Sequence, residues 1–168
     1  RYLQSLGFEL TVLPVQPNGL LELEALAAAL RPDTVLVSVM AANNEIGVLQ
    51  PIAEIAALCR PQGIALHVDG AQLVGHQRLE PLALGIDLLS LSGHKFYGPK
   101  GVGALLVAPG VELKPQLHGG GQEGGLRSGS APLPLAVGLA EALERALADA
   151  PERAQRLDRK STRLNSSH

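Results

Sequence analysis

The chain has 168 residues, with 14 Lys and Arg against 16 Asp and Glu, so its formal net charge is −2. This charge balance and a hydrophobic content of 46% are typical of a globular domain and argue against an intrinsically disordered chain. Two Phe, two Tyr and no Trp make an aromatic-stacking nucleic-acid module improbable, one Cys excludes a disulfide framework, and no apolar run is long enough to span a bilayer.

Strand and helix patterns alternate along the chain. In chain order the sequence predicts a helix end at 2–7, a strand at 8–13, a helix at 21–30, a strand at 34–40, a helix at 51–62, a strand at 64–68, a helix at 81–84, strands at 86–91 and 102–107, and a helix at 132–157. The apolar run 34–40 predicts a strand buried on both faces. The helix that Pro51 begins has an apolar stripe that includes Cys59, so this thiol is expected in the core.

The alternation predicts an α/β architecture with three α/β/α layers and a mainly parallel sheet, with room for an antiparallel strand. The ends of the chain have a different character. Residue 1 is Arg, so the chain is expected to begin inside a larger fold. At the other end, residues 158–168 are polar, unlike the Ala- and Leu-rich sequence before them. We expect residues 1–157 to form part of a domain and 158–168 to be a non-native or disordered tail, a native polar tail being the alternative.

Three polar clusters follow predicted strands at the point where each strand ends. They are the segments 43–45, 69–72 and 92–95. In open α/β sheets, ligands bind at the carboxyl ends of the strands, so these clusters are expected to converge on one edge. There a desolvated Lys95 amine could attack carbonyls, Ser92 could bind a phosphate, and Asp69 could pair with a pyridinium nitrogen. Together these residues have the chemistry of a pyridoxal-phosphate (PLP) site.

Other functions fit the same residues less well. Lys95 could be an ordinary surface lysine. The spacing of Gly93 and Gly98 resembles the start of a nucleotide-binding P-loop, but Pro99 stands where that loop has its lysine. His67 and Asp69 with a further histidine could bind a metal, although isolated histidines are more often hydrogen-bonded than metal-bound. No metal is therefore predicted.

The run 92–103 (SGHKFYGPKGVG) resembles the cofactor-lysine segment of cysteine desulfurases, which are fold-type I PLP enzymes of the class-V aminotransferase group. The resemblance extends through 38–47, 67–72 and 118–129, and it covers residues 1–150 in essence. It implies part of the PLP-binding large domain. Lys100 and the triple-glycine loop favour the iron–sulfur assembly and nitrogen-fixation branch over the branch with selenocysteine lyases.

The resemblance assigns a role to each matching residue. It implies that Lys95 forms the Schiff base with PLP and moves the substrate α-proton, and that Asp69 pairs with the pyridinium nitrogen. The remaining cofactor-binding residues that it implies are Asn44 on the substrate side, Gln72 at the phenolic oxygen, Ser92 and His94 at the phosphate, and Ser130 at the phosphate of a partner subunit. Ser130 stands where the family usually has Thr, and this replacement keeps a hydroxyl donor.

The resemblance also implies a function for the parent protein. It would convert L-cysteine to L-alanine and an enzyme persulfide, as a cytoplasmic homodimer that passes sulfur to iron–sulfur scaffold proteins. The sulfur-accepting Cys and the arginine for the substrate carboxylate would lie later in the family's chain, and the histidine stacked on the pyridine ring would lie earlier. We therefore expect an internal piece without sulfur transfer of its own. The alternatives are a selenocysteine lyase or related class-V lyase, and a non-catalytic remnant that dimerises.

Overall fold

The computed structural model describes residues 2–165, and the side chains of residues 2–159. Within them the helices are α1 (Tyr2–Ser5), α2 (Leu23–Ala29), α3 (Ile52–Cys59), α4 (Pro81–Leu84) and α5 (Leu133–Asn165), and the strands are β1 (Leu36–Met40), β2 (Ala65–Asp69), β3 (Leu88–Ser92) and β4 (Gly103–Val107). Short 3-10 turns cover Arg60–Gln62, Gly93–Phe96 and Gln122–Gly125.

The four strands form one sheet in the order β1-β2-β3-β4. The first three strands are parallel, and β4 runs antiparallel to β3. Helix α3 connects β1 to β2 and α4 connects β2 to β3, as parallel neighbours require. The predicted mainly parallel α/β sheet with an antiparallel strand is thereby confirmed.

One face of the sheet is apolar and carries most of the core. Leu66 and Val68 of β2 are fully buried, and Leu89 and Leu91 of β3 are nearly so. The stripe of α3 that the sequence predicted packs in the same core, with Ile52, Ile55, Ala56 and Cys59 all buried. The helix ends through a 3-10 turn at Gly63, whose φ of 68° is left-handed. Alternation along the strands turns the intervening side chains to the opposite, half-exposed face.

Two strand predictions are wrong. Residues 8–13 form no strand, and Phe8, Leu10 and Val12 are exposed, because the described part of the chain places no strand beside them. The run 34–40 does contain β1, but within residues 2–165 β1 lies at the edge of the sheet and is not buried on both faces. Leu36 is 44% exposed, and Val35 just before the strand is 65% exposed. An apolar run shows that a strand is buried only when its neighbours are present.

Helix α5 is longer than the predicted 132–157. It contains Pro151, packs against the turn Gly93–Phe96 and buries Ala146. Its last described residue is Asn165, and residues 166–168 of the predicted tail lie outside the described part. The nature of residues 158–168 stays a prediction. No helix in residues 2–165 has the length and apolar character needed to cross a membrane.

Candidate functional site

The carboxyl ends of β1, β2 and β3 meet at one edge of the sheet, which we call the strand-end rim. Met40, Asp69 and Ser90 are register partners across the three strands. Backbone bonds extend the alignment beyond the strands, since Ala41 donates its N–H to the carbonyl of Asp69 at 2.8 Å and Gly70 donates to Ser90 at 2.9 Å. The structure therefore places all three predicted polar clusters at this rim.

Asp69 is the last residue of β2, and its carboxylate is fixed by its own turn. Its Oδ1 atom accepts the backbone N–H of Ala71 at 2.9 Å, and the side chain is half-buried. A Cβ on the buried Gly70 would lie 2.7 Å from Leu89 Cδ1 and 3.2 Å from the carbonyl oxygen of Ser90, so a larger residue would displace the packing around this turn. Gln72, also half-buried, follows in the same turn. The acid and the amide thus leave the rim from one tightly packed loop.

Lys95 lies in the 3-10 turn that follows β3. Ser92 ends the strand and is half-buried, whereas His94 and Lys95 are exposed. Phe96 anchors the turn with an exposure of 2%, and Tyr97 leaves it with a left-handed φ of 67°. The described residues therefore fix the backbone of the turn and present the lysine amine to the outside without burying it. The desolvation considered for Lys95 is not provided by this part of the chain.

The loop after β1 presents Asn44. Its neighbour Asn43 builds the loop, because Asn43 Oδ1 accepts the N–H groups of Glu45 at 2.9 Å and Ile46 at 3.0 Å. Asn43 also donates its own N–H to the carbonyl of Val48 at 2.9 Å. Asn44 is exposed at the rim while its neighbours carry the loop's hydrogen bonds. The sequence singled out the asparagine pair, and the structure separates a loop-forming member from an exposed one.

Ser130 lies outside the strand-end rim in the chain, between the turn Gln122–Gly125 and α5, and it is exposed. The glycine-rich segment before it is closed by its own bonds, such as Gly129 N–H to Gln122 Oε1 at 3.1 Å. Among the described residues, no hydrogen bond joins this segment to the rim loops. Hydrogen bonding within the described residues thus does not connect Ser130 to the other candidate residues.

A hydrogen-bonded bridge that the sequence did not predict crosses the half-exposed face of the sheet. His67 Nδ1 lies 2.8 Å from Ser38 Oγ on β1, and His67 Nε2 lies 3.2 Å from Ser90 Oγ on β3. His67 is thus held by hydroxyls of both neighbouring strands, two residues before Asp69. The sequence suggested this histidine only as a metal ligand, and the described side chains include no group of three or more residues able to hold a metal. The register of three strands was needed to find the bridge.

Cys59 is a core thiol, as the sequence predicted. It is 1% exposed on the buried stripe of α3. Burial raises the pKa of the Cys59 thiol, and the carboxylate of Asp87 raises it further. Both effects disfavour the thiolate, which is the nucleophilic form of cysteine. This residue is therefore unsuited to accept sulfur.

Comparison with known proteins gives the site a family context. The sequence model of the family "aminotransferase class-V" matches residues 2–164. The mitochondrial cysteine desulfurase of Arthroderma benhamiae is 50% identical over 169 residues, which cover 99% of this chain and 34% of that protein. The cysteine desulfurase IscS of Methylococcus capsulatus is 50% identical over 166 residues, which cover 98% of this chain and 41% of that protein.

Solved structures give the same picture. A NifS-like protein superimposes with a TM-score of 0.93 at 40% identity, over 98% of this chain and 46% of that one. The protein SspA in complex with cysteine has a TM-score of 0.81 at 46% identity, over 85% of this chain and 42% of that one. The chain thus spans between a third and a half of the length of the relatives named here.

Proposed function

Because this chain belongs to the class-V aminotransferase family, we propose that it forms the lysine-bearing half of the PLP site of a cysteine desulfurase. One observation carries the proposal. The strand-end rim holds Asp69 at the end of β2, and Ser92 and Lys95 at and just after the end of β3, in a chain about 50% identical to named cysteine desulfurases over nearly its whole length. The finer activity, the substrate and the partners described below belong to the whole protein and are proposed for it.

The residues at the rim fit PLP. An oriented, half-buried carboxylate such as that of Asp69 suits a protonated ring nitrogen, and the Ser92 hydroxyl and His94 imidazole are donors suited to a phosphate. When bound, PLP supplies an electron sink for charge that develops at the substrate α-carbon. The rim thus offers a carboxylate, two hydrogen-bond donors for a phosphate, and an amine, at the ends of neighbouring strands.

Each of the chain's own residues at the rim would then have a separate role. Lys95 would hold the cofactor covalently through Nζ and move the proton of the substrate α-carbon as a general base. Gln72 would donate its amide N–H to the phenolic oxygen of PLP from the turn that also fixes Asp69. Asn44, exposed on the loop after β1, would contact cofactor and substrate from the other side. The turn Gly93–Phe96 holds the lysine backbone through the buried Phe96.

The substrate proposed for the parent protein is L-cysteine, with L-alanine and an enzyme persulfide as products. The buried Cys59 does not suit the role of sulfur acceptor, so we propose that the acceptor thiol is supplied by another part of the parent protein and that these 168 residues by themselves transfer no sulfur. Ser130 would reach the cofactor phosphate of a second subunit in a homodimer. Iron–sulfur scaffold proteins would receive the sulfur.

Two alternatives receive less support. A selenocysteine lyase is not favoured, because curated relatives at about 50% identity are named cysteine desulfurases. A non-catalytic dimerising remnant would make the residues at the rim dispensable, and the experiment below addresses it. We propose a cytoplasmic location; relatives from Arthroderma and Drosophila are named as mitochondrial, which makes the mitochondrion the other compartment.

The test is to titrate the chain with PLP and to follow the visible absorption band of a lysine-bound cofactor. Reduction with borohydride should fix the label on the peptide that contains Lys95, as read by mass spectrometry. Lys95→Ala should lose both band and label, whereas Lys100→Ala, five residues away and also exposed, should keep them. A label on another residue, or none, would overturn the proposal. Alanine formed from cysteine by this chain would contradict the expected lack of sulfur transfer.

A further inference from the structure

We propose that Arg153 of α5 is a positioning residue that holds two of the rim loops in place. The first is the loop after β2, which carries Gln72, and the second is the turn that carries Lys95. This inference deepens the proposed function and rests on it for its catalytic meaning. The contacts of Arg153 themselves, however, are a property of the chain and can be tested without cofactor.

The contacts of Arg153 join parts of the chain that are distant in sequence. Its Nη2 atom donates to the carbonyl of Gly75 at 2.6 Å, across 78 residues, and to the carbonyl of Ala146 at 2.9 Å within α5. The second bond reaches back seven residues along α5, past Pro151, to the helical turn that holds the buried Ala146. The guanidinium therefore bonds to a carbonyl of its own helix and to the loop after β2 at the same time.

The loop, the lysine turn and the helix also pack directly on one another at this point. Gly75 is buried, and a Cβ there would lie 2.5 Å from Phe96 Cβ and 3.4 Å from Ala146 Cβ. Phe96 follows Lys95 directly, and Gly75 comes three residues after Gln72. A movement of the Gly75 backbone is thus passed to Phe96 by close packing. We call this group of Gly75, Phe96, Ala146 and Arg153 the clamp.

The charge and location of Arg153 explain why this arginine is suited to the task. A hydrogen bond from a charged donor is stronger than one between neutral groups, and partial burial limits the competition from water. Arg153 is half-buried. Arg145, two turns earlier in α5, lines the same cleft but is exposed and bonds to Glu141 of its own helix. Arg145 therefore provides a matched control with the same residue type and helix but no bond to the loop.

The experiment measures amide hydrogen exchange in the full 168-residue chain without PLP, followed by PLP affinity. The informative amides are His76 and Gln77, which donate to Leu73, and Gly98, which donates to Gly93. In Arg153→Gln we expect these amides to exchange about tenfold faster, since the charged donor is lost. The amide of Asp87, which donates to the carbonyl of Leu66 at 3.0 Å just before β3, should keep its wild-type rate and serves as the reference for global folding.

The exchange rates and PLP affinities of the variants then show whether Arg153 positions the rim loops or only stabilises the fold as a whole. Arg145→Gln should match wild type in exchange and in PLP affinity. Arg153→Gln should raise the Kd for PLP about tenfold, with partial recovery in Arg153→Lys, which keeps the charge but not the planar fork. Unchanged exchange, faster exchange at the reference amide as well, or faster loop exchange with unchanged PLP affinity would each overturn the positioning role. If wild type binds no PLP, the proposed function fails, and the exchange rates by themselves support or overturn the clamp.

Discussion

Replacement of Gly75 by alanine should weaken the fold more than replacement of any glycine that has open space around it. Gly75 has a φ of +86°, and an added Cβ would meet Phe96 Cβ at 2.5 Å and Phe96 Cγ at 3.1 Å. Gly101 has the same φ of +86°, and a Cβ there would meet nothing within 4 Å. The two positions therefore share the backbone cost and differ in the steric one.

The magnitudes follow from that comparison. A left-handed backbone costs a non-glycine residue roughly 1–2 kcal/mol. Insertion of a methyl group into a packed region adds about 1–3 kcal/mol. Gly101→Ala should therefore lower the free energy of unfolding by roughly 1–2 kcal/mol, and Gly75→Ala by about 2–5 kcal/mol. The difference of about 1–3 kcal/mol is the contribution of the contact with Phe96.

The assay is urea unfolding of both variants and wild type, monitored by far-ultraviolet circular dichroism and analysed by linear extrapolation. Equal m-values would show that the compactness of the denatured state has not changed. Equal losses of stability in the two variants would refute the reasoning, because they would mean that Phe96 gives way without cost. The turn that carries Lys95 would then be able to shift more easily than the burial of Phe96 indicates.

Three further predictions concern other parts of the chain. Cys59 in the native chain should react with iodoacetamide at pH 8 at least about a hundredfold more slowly than in urea, because burial and the Asp87 carboxylate raise its pKa; similar rates would contradict its place in the core. Ser38→Ala should lower the free energy of unfolding by about 1 kcal/mol and His67→Ala by about 2 kcal/mol, through loss of one and two hydrogen bonds, and wild-type urea midpoints would contradict the bridge. Tyr97→Gly should raise the free energy of unfolding by about 0.5–1 kcal/mol, because the exposed tyrosine has a left-handed φ of 67° and little packing to lose. A lower urea midpoint than that of wild type would disprove this strain.

Local patterns predicted those elements whose signals lie within one segment. Helix α3 is the clearest case, since its apolar stripe, the proline before it and the glycine after it are all within 13 residues. Residues 8–13 show the opposite case, because alternation indicates that a segment can form a strand but not that a neighbour is present to pair with it. The exposure of β1 has the same cause. What the sequence could not supply was the identity of the adjacent strand.

The candidate site was likewise predictable only in those features that depend on a single segment or on strand direction. The rim was predictable because parallel strands place their carboxyl ends together, so Asp69 and Ser92 could be assigned to one edge from the strands before them. The bridge made by His67 and the clamp made by Arg153 were not predictable, since the first depends on the register of three strands and the second joins residues 78 positions apart. The exposure of Lys95 likewise depends on what surrounds the turn.

The bridge through His67 has a consequence for the assembly of the sheet. Ser38 and His67 are register partners, so a slip of β1 by one residue against β2 would set Val37 or Val39 opposite the imidazole and leave a ring nitrogen without its hydroxyl. The same slip would turn the apolar side chains of β1 from the core to the half-exposed face. The imidazole therefore adds a hydrogen-bonding cost to misaligned pairing of β1 with β2. The alignment that it favours is the one that brings the three loop starts of the site level with one another.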